Sequence, residues 1–118
     1  MAWVEAVDGA LVTLAVGADA RLRLAENAST GYRWSAELDA DTVAIEDRWR
    51  APSATAGPGA AGERWIRLRA LAPGTATLTL RLSRPWEPVA AEERRLTVRV
   101  TAPRGAPDPA GGAGRADP

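Results

Sequence analysis

The chain has 118 residues, 46% of them hydrophobic, with 15 basic and 15 acidic side chains that cancel. This length and apolar share suit one globular domain with a tail, and the balanced charge argues against a nucleic-acid partner. Cysteine and histidine are both absent. Their absence excludes disulfides and Cys–His or Ser–His–Asp catalysis, and it leaves no usual set of zinc ligands. The sequence therefore gives no reason to expect an enzyme or a cofactor.

Alternation of apolar and polar residues with period two predicts about seven to eight short strands. The clearest runs are residues 11–16, 21–24, 32–38, 42–49, 66–70, 75–82 and 95–100. Strands with one apolar and one polar face are typical of antiparallel sheets, and the pattern shows few helical signals. The expected fold is therefore an all-β, two-sheet antiparallel sandwich.

The predicted domain spans residues 1–101, and residues 102–118 form a Pro/Gly/Ala-rich segment without an apolar period. Such a composition cannot bury enough surface to offset the entropy of ordering, so we expect a flexible tail. The N-terminal residues show no basic start followed by a long apolar stretch. We therefore expect no signal peptide and no membrane segment, with a cytoplasmic location or an exported form whose leader has been removed.

The first loop of interest is Asn27-Ala28-Ser29-Thr30-Gly31-Tyr32, which joins two predicted strands. Asn and Gly tolerate left-handed backbone, and Ser and Thr bond their own turn. Taken alone, the loop is also explained as a well-made turn with Tyr32 and Trp34 filling the core.

The second loop lies in a long connection, residues 51–62, and ends in Gly59-Ala60-Ala61-Gly62. Long loops in compact domains are often functional, and glycines let a backbone approach a partner closely. A plain surface loop is the alternative. Trp65 follows directly on the polar face of the next strand, which makes it a possible additional contact.

The third loop, Arg84-Pro85-Trp86, follows a long predicted strand. Pro85 fixes its own φ and favours extended geometry at Arg84. Trp and Arg are the residue types most enriched at binding hot spots, so an exposed Trp86 would indicate a partner. The alternative is that Trp86 folds back onto the sandwich.

Taken in order, the three loops resemble the chagasin-type inhibitors of papain-like cysteine proteases. The family pattern is Asn-Pro-Thr-Thr-Gly followed by an aromatic residue, then Gly-x-Gly-Gly, then Arg-Pro-Trp. Here Ala28 stands at the proline, Ser29 at a threonine and Ala61 at a glycine, whereas the third element is intact. The resemblance covers roughly residues 9–101.

The resemblance implies an immunoglobulin-like β-sandwich that acts as a reversible, non-covalent inhibitor. Its three loops would enter the active-site cleft of a papain or cathepsin L type protease. The implied contact residues are Asn27, Ala28, Ser29, Thr30, Gly31, Tyr32, Gly59, Ala60, Ala61, Gly62, Arg84, Pro85 and Trp86. A monomer is expected, with no metal and no membrane or nucleic-acid partner. The alternative function on the same fold is a binding or adhesion module with no protease target.

Overall fold

The structure is a computed structural model that describes residues 2–27, 30–51 and 62–103. The residues so described form eight strands: β1 Ala2–Trp3, β2 Leu11–Ala15, β3 Asp19–Glu26, β4 Arg33–Leu38, β5 Val43–Arg50, β6 Gly62–Ala70, β7 Gly74–Ser83 and β8 Glu92–Thr101. The predicted all-β class is confirmed. Across the described ranges, no helix has the length and apolar character needed to cross a membrane.

The strands form two four-stranded sheets, with the orders β1-β3-β6-β5 and β2-β8-β7-β4. The inner pairings β3–β6, β5–β6, β4–β7 and β7–β8 are antiparallel, as predicted. The short edge strand β1 runs parallel to β3, and β2 runs parallel to β8. Alternation does not reveal this direction, because side chains alternate between faces in the same way in either kind of pairing.

The core lies between the two sheets and is built from the apolar positions of the alternating runs. Leu22, Ile66 and Leu68 of one sheet are fully buried, as are Leu78 and Leu96 of the other. On the edge strand β5 the pattern gives way, because Val43 is buried whereas Ile45 and Trp49 are 37% and 38% exposed. The sandwich thus covers only the beginning of β5.

Three connections leave the sandwich at the same end. In the first sheet, Glu26 at the end of β3 pairs with Gly62 at the start of β6. The last residue of β5, Arg50, pairs next to it with Glu63. In the second sheet, the start of β4 pairs with the end of β7, and the end of β7 pairs with the start of β8. The strand ends from which the β3–β4, β5–β6 and β7–β8 connections start are therefore gathered at one end of the sandwich.

The last strand ends at Thr101. Most of the predicted tail, residues 104–118, lies outside the described residues, so the two-part division of the chain stays a prediction.

Candidate functional site

Arg84 joins the β7–β8 loop to the β3–β4 loop. Its Nε donates a hydrogen bond to the carbonyl oxygen of Thr30 at 3.1 Å. Its guanidinium carbon lies 4.0 Å from the centre of the Tyr32 ring, which is cation–π distance. The Arg84 side chain therefore holds the first and third loops together. The Tyr32 ring is half-buried against this guanidinium and does not fill the core.

Trp86 lies directly over Gly31. A Cβ added to Gly31 would lie 2.7 Å from Cη2 of the indole, and Gly31 has a φ of +80°, where side chains are disfavoured. The indole nevertheless stays 68% exposed. Of the two possibilities that the sequence left open for Trp86, the structure shows the exposed one, because the ring covers Gly31 and does not fold into the sandwich.

The β3–β4 loop is also closed by bonds of its own. The hydroxyl of Thr30 donates to the carbonyl oxygen of Asn27 at 2.8 Å, and the backbone N–H of Thr30 donates to the same oxygen at 3.2 Å. The N–H of Tyr32 donates back to the Thr30 hydroxyl at 3.3 Å. These are the local side-chain bonds by which threonine stabilises a turn.

A buried ion pair lies beneath the loops. The carboxylate of Glu26, 2% exposed, accepts from Nη2 of Arg64 at 2.7 Å and from Nε at 3.2 Å. It also accepts from the backbone N–H of Trp34 at 2.5 Å. Burial opposes the charge of Arg64, but its bonds to Glu26 and Asp47 outweigh this and raise the pKa of the guanidinium. The pair fixes the last residue of β3 against the starts of β4 and β6.

Gly62 anchors the described end of the β5–β6 loop. A Cβ there would meet the carbonyl oxygen of Arg50 and the ring of Trp49, so only glycine lets these two strands approach so closely. The indole N–H of Trp49 donates to the carbonyl oxygen of Glu26 at 3.4 Å. The base of the second loop is therefore tied to the base of the first.

The structure brings together Asn27, Thr30, Gly31 and Tyr32 of the first loop with Arg84, Pro85 and Trp86 of the third, and it places Gly62 beside their base. Ala28, Ser29, Gly59, Ala60 and Ala61 lie outside the described residues. Trp65 does not join this cluster. It lies on the outer face of its sheet, where its ring contacts the ring of Trp3 at 4.9 Å, edge to face.

Sequence reasoning missed Glu26 and Arg64. The signal was present, because Glu26 continues the inward-facing series of Leu22 and Leu24, and Arg64 continues that of Ile66 and Leu68. Two opposite charges at inward positions of strands that run to the same end indicate a buried pair. The strand pairing needed to bring them together was not visible in one sequence.

The described residues contain no group of three side chains suited to hold a metal ion. What the loops offer is an exposed indole, a guanidinium and backbone groups on a braced frame. Exposed Trp and Arg side chains are the residue types most enriched at binding hot spots.

Comparison with known proteins identifies the family. The model of the chagasin family peptidase inhibitor I42 matches residues 13–100. Amoebiasin-2 from Entamoeba histolytica is 38% identical over 82 residues, which are 68% of this chain and 67% of that protein.

Solved structures agree with the family match. The crystal structure of the cysteine protease inhibitor EhICP2 from Entamoeba histolytica superposes with a TM-score of 0.73 and 29% identity, covering 84% of this chain and 96% of that one. PbICP-C, solved in complex with falcipain-2, shares the fold with a TM-score of 0.58 at 15% identity, over 85% of this chain and 98% of that one. Members of this family are protease inhibitors and not enzymes. Because the family model spans most of the sandwich, the chain belongs to the chagasin family of peptidase inhibitors.

Proposed function

We propose that the chain inhibits papain-like cysteine proteases by placing its three neighbouring loops in the active-site groove. Cysteine protease inhibition follows from the family, and the proposal adds which residues carry it out. The observation that supports it most is the joining of two loops through Arg84, whose Nε lies 3.1 Å from the carbonyl oxygen of Thr30, at the end of the sandwich where Gly62 anchors the base of the second loop.

Each loop has a proposed role. The segment 27–32 would be central, with Thr30 and Gly31 nearest the catalytic Cys–His pair of the protease. The segment 59–62 would run along the non-primed subsites and offer backbone hydrogen bonds. Arg84 and Trp86 would lie on the primed side, where the exposed indole stacks on an aromatic residue of the enzyme.

The braced loops suit inhibition without reaction. A loop that is already ordered loses little entropy when it docks, so more of the contact energy appears as affinity. The bonds of Thr30, the stacking of Arg84 on Tyr32 and the buried Glu26 carboxylate supply that order. A patch of this kind buries on the order of 800 Å² on each partner in protease–inhibitor complexes.

Two substitutions in the loops bear on affinity. Ala28 constrains the backbone less than the proline of the family pattern, so the free loop has more conformations to lose on docking. Ala61 carries a side chain where the pattern has glycine, which hinders a close backbone approach if φ there is positive. We expect inhibition to be weaker than with proline and glycine at these positions, and Ala28→Pro to strengthen it.

The test is a titration of papain and a cathepsin L type enzyme with the purified chain, beside a serine protease as control. The expected result is reversible inhibition of the cysteine proteases alone, with an inhibitor that is not consumed. Inhibition constants above about 1 mM for every papain-like protease would contradict the proposal, because they correspond to a binding free energy of only about −4 kcal/mol. That result would favour the alternative, a binding or adhesion module with no protease target.

A further inference from the structure

The outer face of the first sheet is rich in arginine. Side chains that alternate with the core residues of β3, β5 and β6 point away from the sandwich. On this outer surface, called here the arginine face, lie Trp3 and Trp65 together with Arg21, Arg23, Arg48, Arg50, Arg67 and Arg69. The acidic residues among them are Asp19, Glu46 and Glu63. The face is thus strongly net positive in a chain whose total charge is zero.

Among the described residues, half of these arginines form no salt bridge within 4.0 Å. Arg67 is bound by Asp19 at 2.7 Å, and Arg48 lies 3.4 Å from Glu46. The salt bridges of the described residues, counted to 4.0 Å, include none from Arg21, Arg23 or Arg50. Arg21 is near enough to Asp19 to help lower its pKa, and Arg50 lies opposite Glu63 in the strand register, but none of the three forms an ion pair that occupies its N–H donors.

Two tryptophans contact two of these arginines, Arg23 and Arg50. The guanidinium carbon of Arg23 lies 4.5 Å from the Trp3 ring centre, and that of Arg50 lies 4.5 Å from the Trp65 ring centre. Stacking of this kind orders the guanidinium but leaves its N–H donors in the plane available. The entropy that a flexible arginine loses on binding an anion is thereby already reduced.

The arginine face is also concave. A depression of about 560 Å³ is bordered by Arg21, Arg48, Arg50, Arg67 and Trp65, with Glu46 as its acidic residue. This volume lies within the range of small-molecule sites, roughly 300–1,000 Å³. Four arginines against one glutamate leave an excess of positive charge in the cleft, and such an excess attracts anions.

We propose that the arginine face binds a linear anionic polysaccharide through its sulfate or carboxylate groups. Same-face positions lie about 7 Å apart along a strand and about 5 Å apart across strands, so several anionic groups of one polymer meet arginines at once. Arginine forks bind such planar or tetrahedral oxyanions with paired, charge-assisted hydrogen bonds. A single small anion would engage one arginine and gain none of this multivalency.

A single-stranded nucleic acid fits the face less well. Such strands gain much of their affinity from bases stacked on open aromatic rings. Here one side of each ring is covered by Arg23 or Arg50, and the two indoles contact each other at 4.9 Å. The arginine face therefore suits the binding of anionic groups and offers no open aromatic ring on which a base could stack.

The experiment is isothermal titration of the full chain with a heparin hexasaccharide, a hyaluronan hexasaccharide and a neutral dextran oligosaccharide, at about 50 mM and about 200 mM salt. Comparing the heparin and hyaluronan oligosaccharides distinguishes sulfate from carboxylate recognition. We expect binding of at least one of these two, weaker at the higher salt concentration, and no binding of dextran. The variant Arg21→Gln/Arg23→Gln should lose at least about tenfold in affinity, since it removes two charge-assisted donors.

A matched control removes two arginines from the other sheet, Arg95→Gln/Arg99→Gln, and should leave the affinity within about threefold. The variant Arg21→Lys/Arg23→Lys keeps the charge without the fork and should bind at an intermediate strength. No binding of either charged oligosaccharide would overturn the proposal. So would equal losses in the two double Gln variants, or equal affinity for single-stranded DNA of matched charge.

This binding is measured without a protease, so its outcome is independent of the proposed inhibition. Arg21 and Arg23 lie on β3 away from the three loops, and Arg21→Gln/Arg23→Gln should inhibit a cysteine protease as the unmodified chain does.

Discussion

The indole of Trp86 covers the backbone of Gly31 so closely that a Cβ at residue 31 would lie 2.7 Å from its Cη2 atom. Glycine is therefore required twice at this position, once for its φ of +80° and once for the space under the ring. The contact makes the tip of the β3–β4 loop and the β7–β8 loop one surface. Any change to either residue should consequently alter both loops.

The substitution Gly31→Ala tests this contact. It should lower the free energy of unfolding by about 1 to 2 kcal/mol, the cost of a side chain at positive φ, and displace Trp86. Because the indole is a proposed protease contact, the inhibition constant should rise at least about tenfold. Urea unfolding and a protease assay measure the two effects.

Gly9→Ala is the matched control for Gly31→Ala. Gly9 has a φ of +85°, but a Cβ there meets nothing within 4 Å. It should show a similar loss of stability and no loss of inhibition. Equal effects of the two substitutions on the inhibition constant would contradict a specific role for the Gly31–Trp86 contact.

Removing the indole separates binding from folding. Trp86→Ala should cost at least about 2 kcal/mol of affinity for the protease, roughly thirtyfold in the inhibition constant. Its effect on stability should stay within about 0.5 kcal/mol, because the ring is 68% exposed. Leu71→Ala, an exposed apolar truncation at the opposite end of the sandwich, should change neither quantity. An unchanged inhibition constant for Trp86→Ala would remove this residue from the site.

The buried ion pair supports the loops from below. Glu26→Gln keeps an acceptor for the N–H of Trp34, but it removes one of the two carboxylate charges that compensate Arg64, and its amide N–H groups cannot accept from the guanidinium. We expect a loss of about 1 to 3 kcal/mol in the free energy of unfolding. Glu37→Gln, which breaks the 2.6 Å pair with Arg81 at the surface, should cost less than about 1 kcal/mol. Equal losses of unfolding free energy in the two variants would show that the buried ion pair of Glu26 contributes no more than the surface pair of Glu37.

Asp19 should make stability depend on pH. The hydrogen bond from Arg67 and the charges of the nearby arginines outweigh desolvation and lower the pKa of this carboxyl. An acid whose pKa falls on folding contributes stability above its unfolded pKa, about 3.9, and loses it as the pH drops through the folded value. Asp19→Asn should therefore be less stable than the unmodified chain at about pH 6, and the difference should shrink below about pH 4. A difference that stays constant in urea titrations over this range would be evidence against the bond to Arg67.

The strands were predictable because each buries one face. The run 75–82, in which Leu78 and Leu80 alternate with Thr77 and Thr79, falls one residue short of β7 at each end, and both leucines are buried. The parallel direction of β2 beside β8 was not predictable, because the pairing of Leu11 with Thr97 joins distant parts of the chain and leaves no trace in local periodicity.

The site was predictable in its loops but not in its contacts. Asn27, Thr30 and Gly31 mark a turn by residue type alone, and their family pattern indicates the loop's use. That Arg84 stacks on Tyr32 depends on how the two sheets face each other, which no local signal encodes. The Glu26–Arg64 pair lay in the alternation pattern, yet it needed the β3–β6 register to be recognised.

The most direct test of the loops' role is whether the chain needs an open protease groove. Titration calorimetry would compare binding to papain whose catalytic cysteine carries only a small methylthio cap with binding to papain whose groove is filled by a covalent peptidyl inhibitor. The structure predicts one-to-one binding to the capped enzyme and a loss of at least about a hundredfold in affinity for the filled one. Equal affinity for both forms would show that the three loops do not enter the groove.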